Sequence, residues 1–278
     1  MKRFLLAVAL GTAAIVGLAH AQLKFNPNQV AILRWYPANQ AATFDLGLST
    51  PFAVAFDGAN VWVPVFDVGG SFVYGLRASD GLGRPAYPVG NASTVLAGIA
   101  FDGANLRLVD NGNHSVIKRR ARDANVLGTF PVGNLPRGVA FDGANIWVAN
   151  ALDNTVTKLR AIDGTLLGTF PVGGMPVGVA FDGADIWVTN SNGKNVTKLR
   201  ASDGHVLGTF AVGRTPEGVA FDGANIWGVN RGDSTVTKLR ASDGAVLGTF
   251  KVGNEPIGLA FDGANIWVVN WDGTVSKL

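Results

Sequence analysis

One phrase recurs six times in this chain and limits the folds open to it. F-D-G-A-N begins at Phe56, Phe101, Phe141, Phe181, Phe221 and Phe261, with Asp185 replacing the Asn in the fourth copy, and I-W-V usually follows. The last five copies are spaced by 40 residues and the first gap is 45. A period near 40 residues built of strand-like segments marks a β-propeller or a similar stacked array, whose units bury their apolar faces only against one another.

The unit at 138–173 displays the pattern. Residues 138–141 (G-V-A-F) read as strand A, and Asp142-Gly143-Ala144-Asn145 as a tight turn, because Asp-Gly and Asn tolerate the positive φ of hairpins. Residues 146–149 (I-W-V-A) read as strand B, 150–154 as a loop and 155–160 (T-V-T-K-L-R) as strand C. A turn at 161–164 leads to strand D at 166–172, and Gly173-Gly174-Met175-Pro176 leads to the next unit. The expected fold is all-β, a six-bladed β-propeller of four-stranded antiparallel blades. The last copy stops at Leu278 inside strand C. Residues 30–47 align without a gap onto 236–253, with Arg34 on Arg240 and Phe44 on Phe250. Residues 43–47 are therefore expected to supply the last blade's strand D, a velcro closure by the N-terminal segment. Residues 30–36 and 274–278 both copy strand C, and which of them completes the blade is left open.

The recurrent aromatics read as packing. The six strand-A Phe residues and Trp62, Trp147, Trp187, Trp227 and Trp267 are expected to fill the seams between blades, with Arg107 replacing Trp in the second. The Lys-x-Arg pairs of strand C, such as Lys158 and Arg160, read as a solvated outer face with packed stems. Asn150, Asn190, Asn230 and Asn270, with Asp110 in the second blade, read as strand-end hydrogen-bonding groups.

Residues 1–21 read as a secretory signal peptide: Lys2 and Arg3, an apolar stretch at 4–19, and Ala19-His20-Ala21 as the cleavage site. The expected mature chain is a single propeller domain at 22–278, periplasmic or secreted, with no stable membrane insertion after cleavage. Removing Lys2 and Arg3 from the 23 basic residues leaves 21 against 20 acidic ones. With no basic block interleaved with aromatics, no nucleic-acid partner is expected. The chain has no Cys, which excludes disulfides, thiolate metal sites and a lipoprotein anchor. A monomer is expected.

The run V-T-K-L-R-A-S-D-G-A-V-L-G-T-F-K-V-G-N-E-P-I-G-L-A-F-D-G-A-N-I-W-V-V-N resembles the YVTN-repeat β-propellers, which are akin to NHL-repeat and virginiamycin-B-lyase-like propellers. The carriers are I-W-V-x-N, N-T-V-T-K-L, G-T-F-x-V-G and the Pro before strand A, and they cover nearly all of 30–278. The resemblance implies exported or cell-surface bacterial proteins, often with no assigned reaction. It also implies that related metal-dependent lyases and lactonases place His, Glu, Asp and Asn around the central channel.

Because strands alternate in direction, the A–B and C–D turns share one face of the disc and the D–A and B–C loops share the other. The first face is nearly constant in sequence. On the second, the D–A loops read N-L-P-R, G-M-P-V, R-T-P-E and N-E-P-I, and the B–C loops vary too. The five extra residues of the first interval are assigned there as well, two at 67–70 and three at 91–96. Binding residues gather on loops held by a rigid scaffold. A ligand or protein partner is therefore expected over the channel mouth, which Phe52, Ala97, Arg137, Val177, Glu217 and Ile257 should line. Arg137 and Glu217 are the leading candidates, with Arg214, Glu255, His114, Asp233, Trp271 and Asp272 extending the rim.

Enzyme chemistry has thin support. His114 and His205 fall on opposite faces, Glu217 and Glu255 are the only glutamates, and no H-E-x-x-H spacing occurs. No catalytic residue, metal or cofactor is assigned. The leading expectation is a binding or interaction propeller. The alternatives are a multivalent carbohydrate binder using repeated pockets between blades and a metal-dependent lyase or hydrolase at the channel mouth. Arg231-Gly232-Asp233 spells an adhesion tripeptide, read as coincidence.

Overall fold

The computed structural model describes residues 50–51, 53–67 and 70–278. Six antiparallel sheets follow one another along the chain. In the third, Pro136–Phe141, Asn145–Asn150, Thr155–Arg160 and Leu166–Pro171 pair in that order as strands A to D. Blades 2, 4 and 5 repeat this order, and the sixth has Pro256–Phe261, Ile266–Asn270 and Val275–Lys277. The architecture is the six-bladed propeller expected from the repeat. Of the two copies of strand C, the C-terminal one pairs with strand B of the sixth blade, Val275 opposite Val269. The proposed closing segment at 43–47, its companion at 30–36, the leader at 1–21 and Phe52 lie outside the described residues.

Two boundaries differ from the sequence reading. Strand A begins two residues earlier, at Pro136, because proline's missing N–H is harmless at a strand's first residue and a register shift follows it. In the first blade the extra residues near 67–70 lengthen strands B and C to eight residues each, Asn60–Asp67 and Gly70–Arg77, instead of enlarging a loop.

The D-G-A-N turn is held by its aspartate. In blade 3, Asp142 Oδ1 accepts from the backbone N–H groups of Ala144 and Asn145 at 2.8 and 2.6 Å, while Oδ2 accepts from Trp147 Nε1 at 2.8 Å. The turn thus fixes the tryptophan that fills the next seam. Trp147 packs with Phe181, Ile186 and Leu199 of blade 4, and Trp187 with Ile226 and Leu239 of blade 5. Where blade 2 has Arg107, its Nε donates to Asp102 Oδ2 at 2.8 Å, keeping the bond an indole would make. Its Nη2 also donates to the Ala161 carbonyl of blade 3.

The lysines of strand C correct the expectation of a solvated face. Lys118, Lys158 and Lys198 are buried, and each donates from Nζ to backbone carbonyls of the next blade's C–D turn. Lys158 Nζ reaches Ala201 O at 2.7 Å and Ser202 O at 3.0 Å while lying 4.9 Å from the Trp147 ring centroid. The arginine of each pair does stay outside: Arg160 is exposed and bonds Asp163 at 3.1 Å.

Around the channel the inner strands meet backbone to backbone. A Cβ on Gly98, Gly138 or Gly178 would lie 2.5, 2.2 or 2.5 Å from the carbonyl oxygen of Arg137, Val177 or Glu217 in the next blade. Glycine is required there by this close approach.

Candidate functional site

Both loop types on the variable face carry a residue in the left-handed backbone region. Leu135, Met175, Thr215 and Glu255 do so in the D–A loops, and His114, Asn154, Lys194 and Ser234 in the B–C loops. Among the described residues only Ala124, in a C–D turn, is a non-glycine with positive φ elsewhere. Each such residue costs about 1–2 kcal/mol relative to ordinary backbone. Strain is therefore concentrated on the face whose sequence varies, a distribution typical of functional surfaces.

The strand-end asparagines serve the fold, as expected. Asn150 Oδ1 accepts from Gly133 N at 3.1 Å, and its Nδ2 donates to Thr155 and Thr157. Asn230 repeats this set with Gly213, Thr235 and Thr237.

The predicted site residues resolve into separate groups. Glu217, Glu255 and Trp271 converge on Arg231, a residue of the variable B–C loops that is not among the candidates the sequence selects. Arg231 Nη2 donates to Glu255 Oε2 at 2.7 Å, and Nη1 lies 3.6 Å from Glu217 Oε1. Its guanidinium sits 5.7 Å from the centroid of Trp271, which is 70 % exposed. The hydrogen bond it donates to Glu255 holds the Arg231 pKa above its ordinary value, with burial opposing and the charges of both glutamates adding to the rise. The left-handed backbone at Glu255 is part of the loop that turns this carboxylate toward blade 5. Beside the cluster lies a cavity of about 610 Å³ lined by Thr215, Arg231, Gly232, Ser234, Asn254 and Glu255.

Arg214 and Asp233 form a second couple, with Arg214 Nε donating to Asp233 Oδ1 at 2.5 Å and Arg214 N to Oδ2 at 2.6 Å. Both charges of the Arg-Gly-Asp turn thus have partners within the protein. Asp272 ties its own loop to the preceding D–A loop, accepting from Thr274 N at 3.0 Å and Asn254 N at 2.8 Å. His114 Nδ1 accepts from Leu135 N at 3.3 Å. Arg137 is half-buried, and its Nε is sealed from solvent without a hydrogen-bond partner. Among the described residues no contact joins Arg137 to Glu217, the pair expected at the centre. Glu217 answers to Arg231 instead.

The signal for Arg231 was present. It begins the B–C loop of blade 5 at the position of Ala151, Ser191 and Trp271, one residue past the recurrent Asn.

No family model and no curated protein sequence matches the chain. A solved structure described as that of streptogramin B lyase resembles it with a TM-score of 0.70 at 16% identity, covering 84% of this chain and 84% of that one. At this identity the likeness is one of fold: the chain is a six-bladed β-propeller similar in structure to streptogramin B lyase.

Proposed function

We propose that the protein is an exported binding propeller of the YVTN-repeat kind that holds a small polar ligand, or a charged group of a protein partner, on its D–A/B–C face between blades 5 and 6. The observation that carries this reading is the Arg231 cluster. An arginine gripped by one carboxylate and flanked by another, with its face toward an exposed indole, borders an open polar cavity. A guanidinium oriented in this way offers a planar donor surface, and the indole offers apolar area at low conformational cost. Arg137, half-buried at the position in blade 3 that Glu217 holds in blade 5, would bring its guanidinium to a ligand long enough to span two blades.

The likeness to streptogramin B lyase raises a lyase reading, and the residues present do not fit a metal-dependent one. Among the described residues no three His, Cys, Asp or Glu side chains come together in a way that could hold a metal ion. Both glutamates near the channel are committed to Arg231. Recurrent polar groups such as Asn150 and Asn230 are likewise spent inside their own blades, which disfavours a ring of equivalent sugar pockets.

A thermal-shift screen of small polar and charged metabolites, followed by titration of the first hit, tests the site. Arg231→Ala, Glu217→Ala and Trp271→Ala should each weaken binding by about 1–3 kcal/mol. His205→Ala on the opposite face should not change it. A hit indifferent to the first three variants overturns the reading. Export is tested by N-terminal sequencing of the protein from outside the cytoplasm, with Gln22 expected as the first residue.

A further inference from the structure

Blade 2 departs from its neighbours at another place on this face, three blades before Arg231. In blades 3 and 5 the asparagine closing strand B donates to two threonine hydroxyls of strand C, at 3.0 and 2.8 Å in each case. Blade 2 has Asp110, Ser115 and Ile117 at these three positions. A carboxylate cannot donate. Ser115 Oγ is accordingly left buried with no partner, in a residue only 5 % exposed.

Asp110, 2 % exposed, turns to the longer D–A loop instead. Its Oδ1 accepts from Val95 N at 3.2 Å and Asn113 N at 3.1 Å, and its Oδ2 from Thr94 Oγ1 at 3.0 Å and Asn113 Nδ2 at 2.7 Å. All four donors are neutral, and among the described residues no cation pairs with this carboxylate. Buried charges are ordinarily matched by an opposite charge, and attraction across a poorly solvated site is far stronger than in water.

These groups line a cavity of about 350 Å³, with Ile117 and Pro131 giving it an apolar wall. That volume lies within the range of about 300–1,000 Å³ common to small-molecule sites. Asn113 Nδ2 is spent on Asn91 Oδ1, Thr94 Oγ1 and Asp110 Oδ2, which leaves its own carbonyl oxygen unbonded. Ser115 Oγ has its lone pairs free as well. The unspent valences nearest the carboxylate are therefore mainly acceptors, and an ammonium group brings three donors and no acceptor.

We propose that this cavity binds a small organic cation, a primary ammonium on a hydroxylated ring of about monosaccharide size. Asp110 supplies the countercharge and Ser115 Oγ a direct hydrogen bond. A neutral sugar would leave the carboxylate unmatched, and an anion would be repelled. The site stands independently of the Arg231 cluster, with which it shares no residue.

Calorimetric titration of the full chain with D-glucosamine, D-glucose and D-glucuronate compares one ring carrying a positive, no and a negative charge. Glucosamine should bind saturably, one per chain, at least about tenfold more tightly than glucose, the ratio expected when a charge-assisted hydrogen bond is lost. Glucuronate should give no saturable heat. Ser115→Ala should weaken glucosamine about tenfold. The double variant Asp110→Asn/Ile117→Thr gives the strand-end amide the hydroxyl partners it has in blades 3 and 5, so it should stay folded, as a thermal melt checks, yet bind glucosamine and glucose alike. Equal binding of glucosamine and glucose by the natural chain overturns the proposal. So does the absence of saturable glucosamine binding at millimolar concentration, or full affinity in the double variant.

Discussion

Position 119 is arginine where blades 3, 4 and 5 carry Leu159, Leu199 and Leu239. Arg119 is 8 % exposed, and its Nε and Nη1 are sealed without an acceptor. Burial pushes its pKa below the ordinary arginine value, with Tyr87 opposing the change. Arg107, more deeply buried, has Asp102 to answer it and so forms a matched pair. Arg119→Leu should therefore raise stability by about 1–3 kcal/mol, the usual cost of an unsatisfied buried polar group. A urea melt checks this, and a loss of stability would show that the guanidinium has a partner role. The aspartates set the pH response. Asp163 and Asp243 are held low chiefly by backbone N–H donors at Thr165 and Ala245. At Asp222 burial acts upward, but hydrogen bonds from Trp227, Asn225 and the turn backbone outweigh it and leave the pKa lowered. A carboxylate depressed in the folded state contributes stability that is present above its unfolded pKa, near 3.9, and is lost as pH falls through the folded value. The urea midpoint should thus hold from neutrality to about pH 4 and fall below it.

At the scale of strands and turns, the seams depend on the lysine that bridges to the next blade. Lys158→Met keeps the stem and removes the charge, its two carbonyl bonds and its place over Trp147. The expected cost is about 1–3 kcal/mol, measured by thermal or urea unfolding, and a neutral result would mean that stem packing alone matters. The strands themselves were legible because Asp-Gly turns and alternating Val, Ile and Trp have few other uses. The burial of Lys158 was not, since an alternating strand tells which side a residue faces but not whether another blade covers that side. Arg231 stands at the repeat position of Trp271, but its convergence with Glu217 and Glu255 is not legible because loops of different blades meet only in the folded ring. Asp110 was recognised as a departure from Asn, yet its consequence needed the simultaneous changes at Ser115 and Ile117 to be compared position by position.

For the whole ring, Trp267 marks the join. It is 39 % exposed, whereas Trp62, Trp147, Trp187 and Trp227 are buried by a following blade. If 43–47 complete the sixth blade, deleting 22–47 should lower the melting temperature much more than shortening a B–C loop, because joining the ends of a ring is its least local contact. Equal melting of the two variants would remove the closure proposal. The blade count was readable from the repeat alone, whereas the join was not, because two segments claim the same strand. The lysine bridges carry one more consequence. Blades 3 and 4 each hand a tryptophan and an ammonium to the next blade, a head-to-tail contact with no built-in end. A duplicated stretch of 40 residues would therefore arrive with both halves of its own junction, so that a gene for this chain can change its number of copies without inventing a new interface.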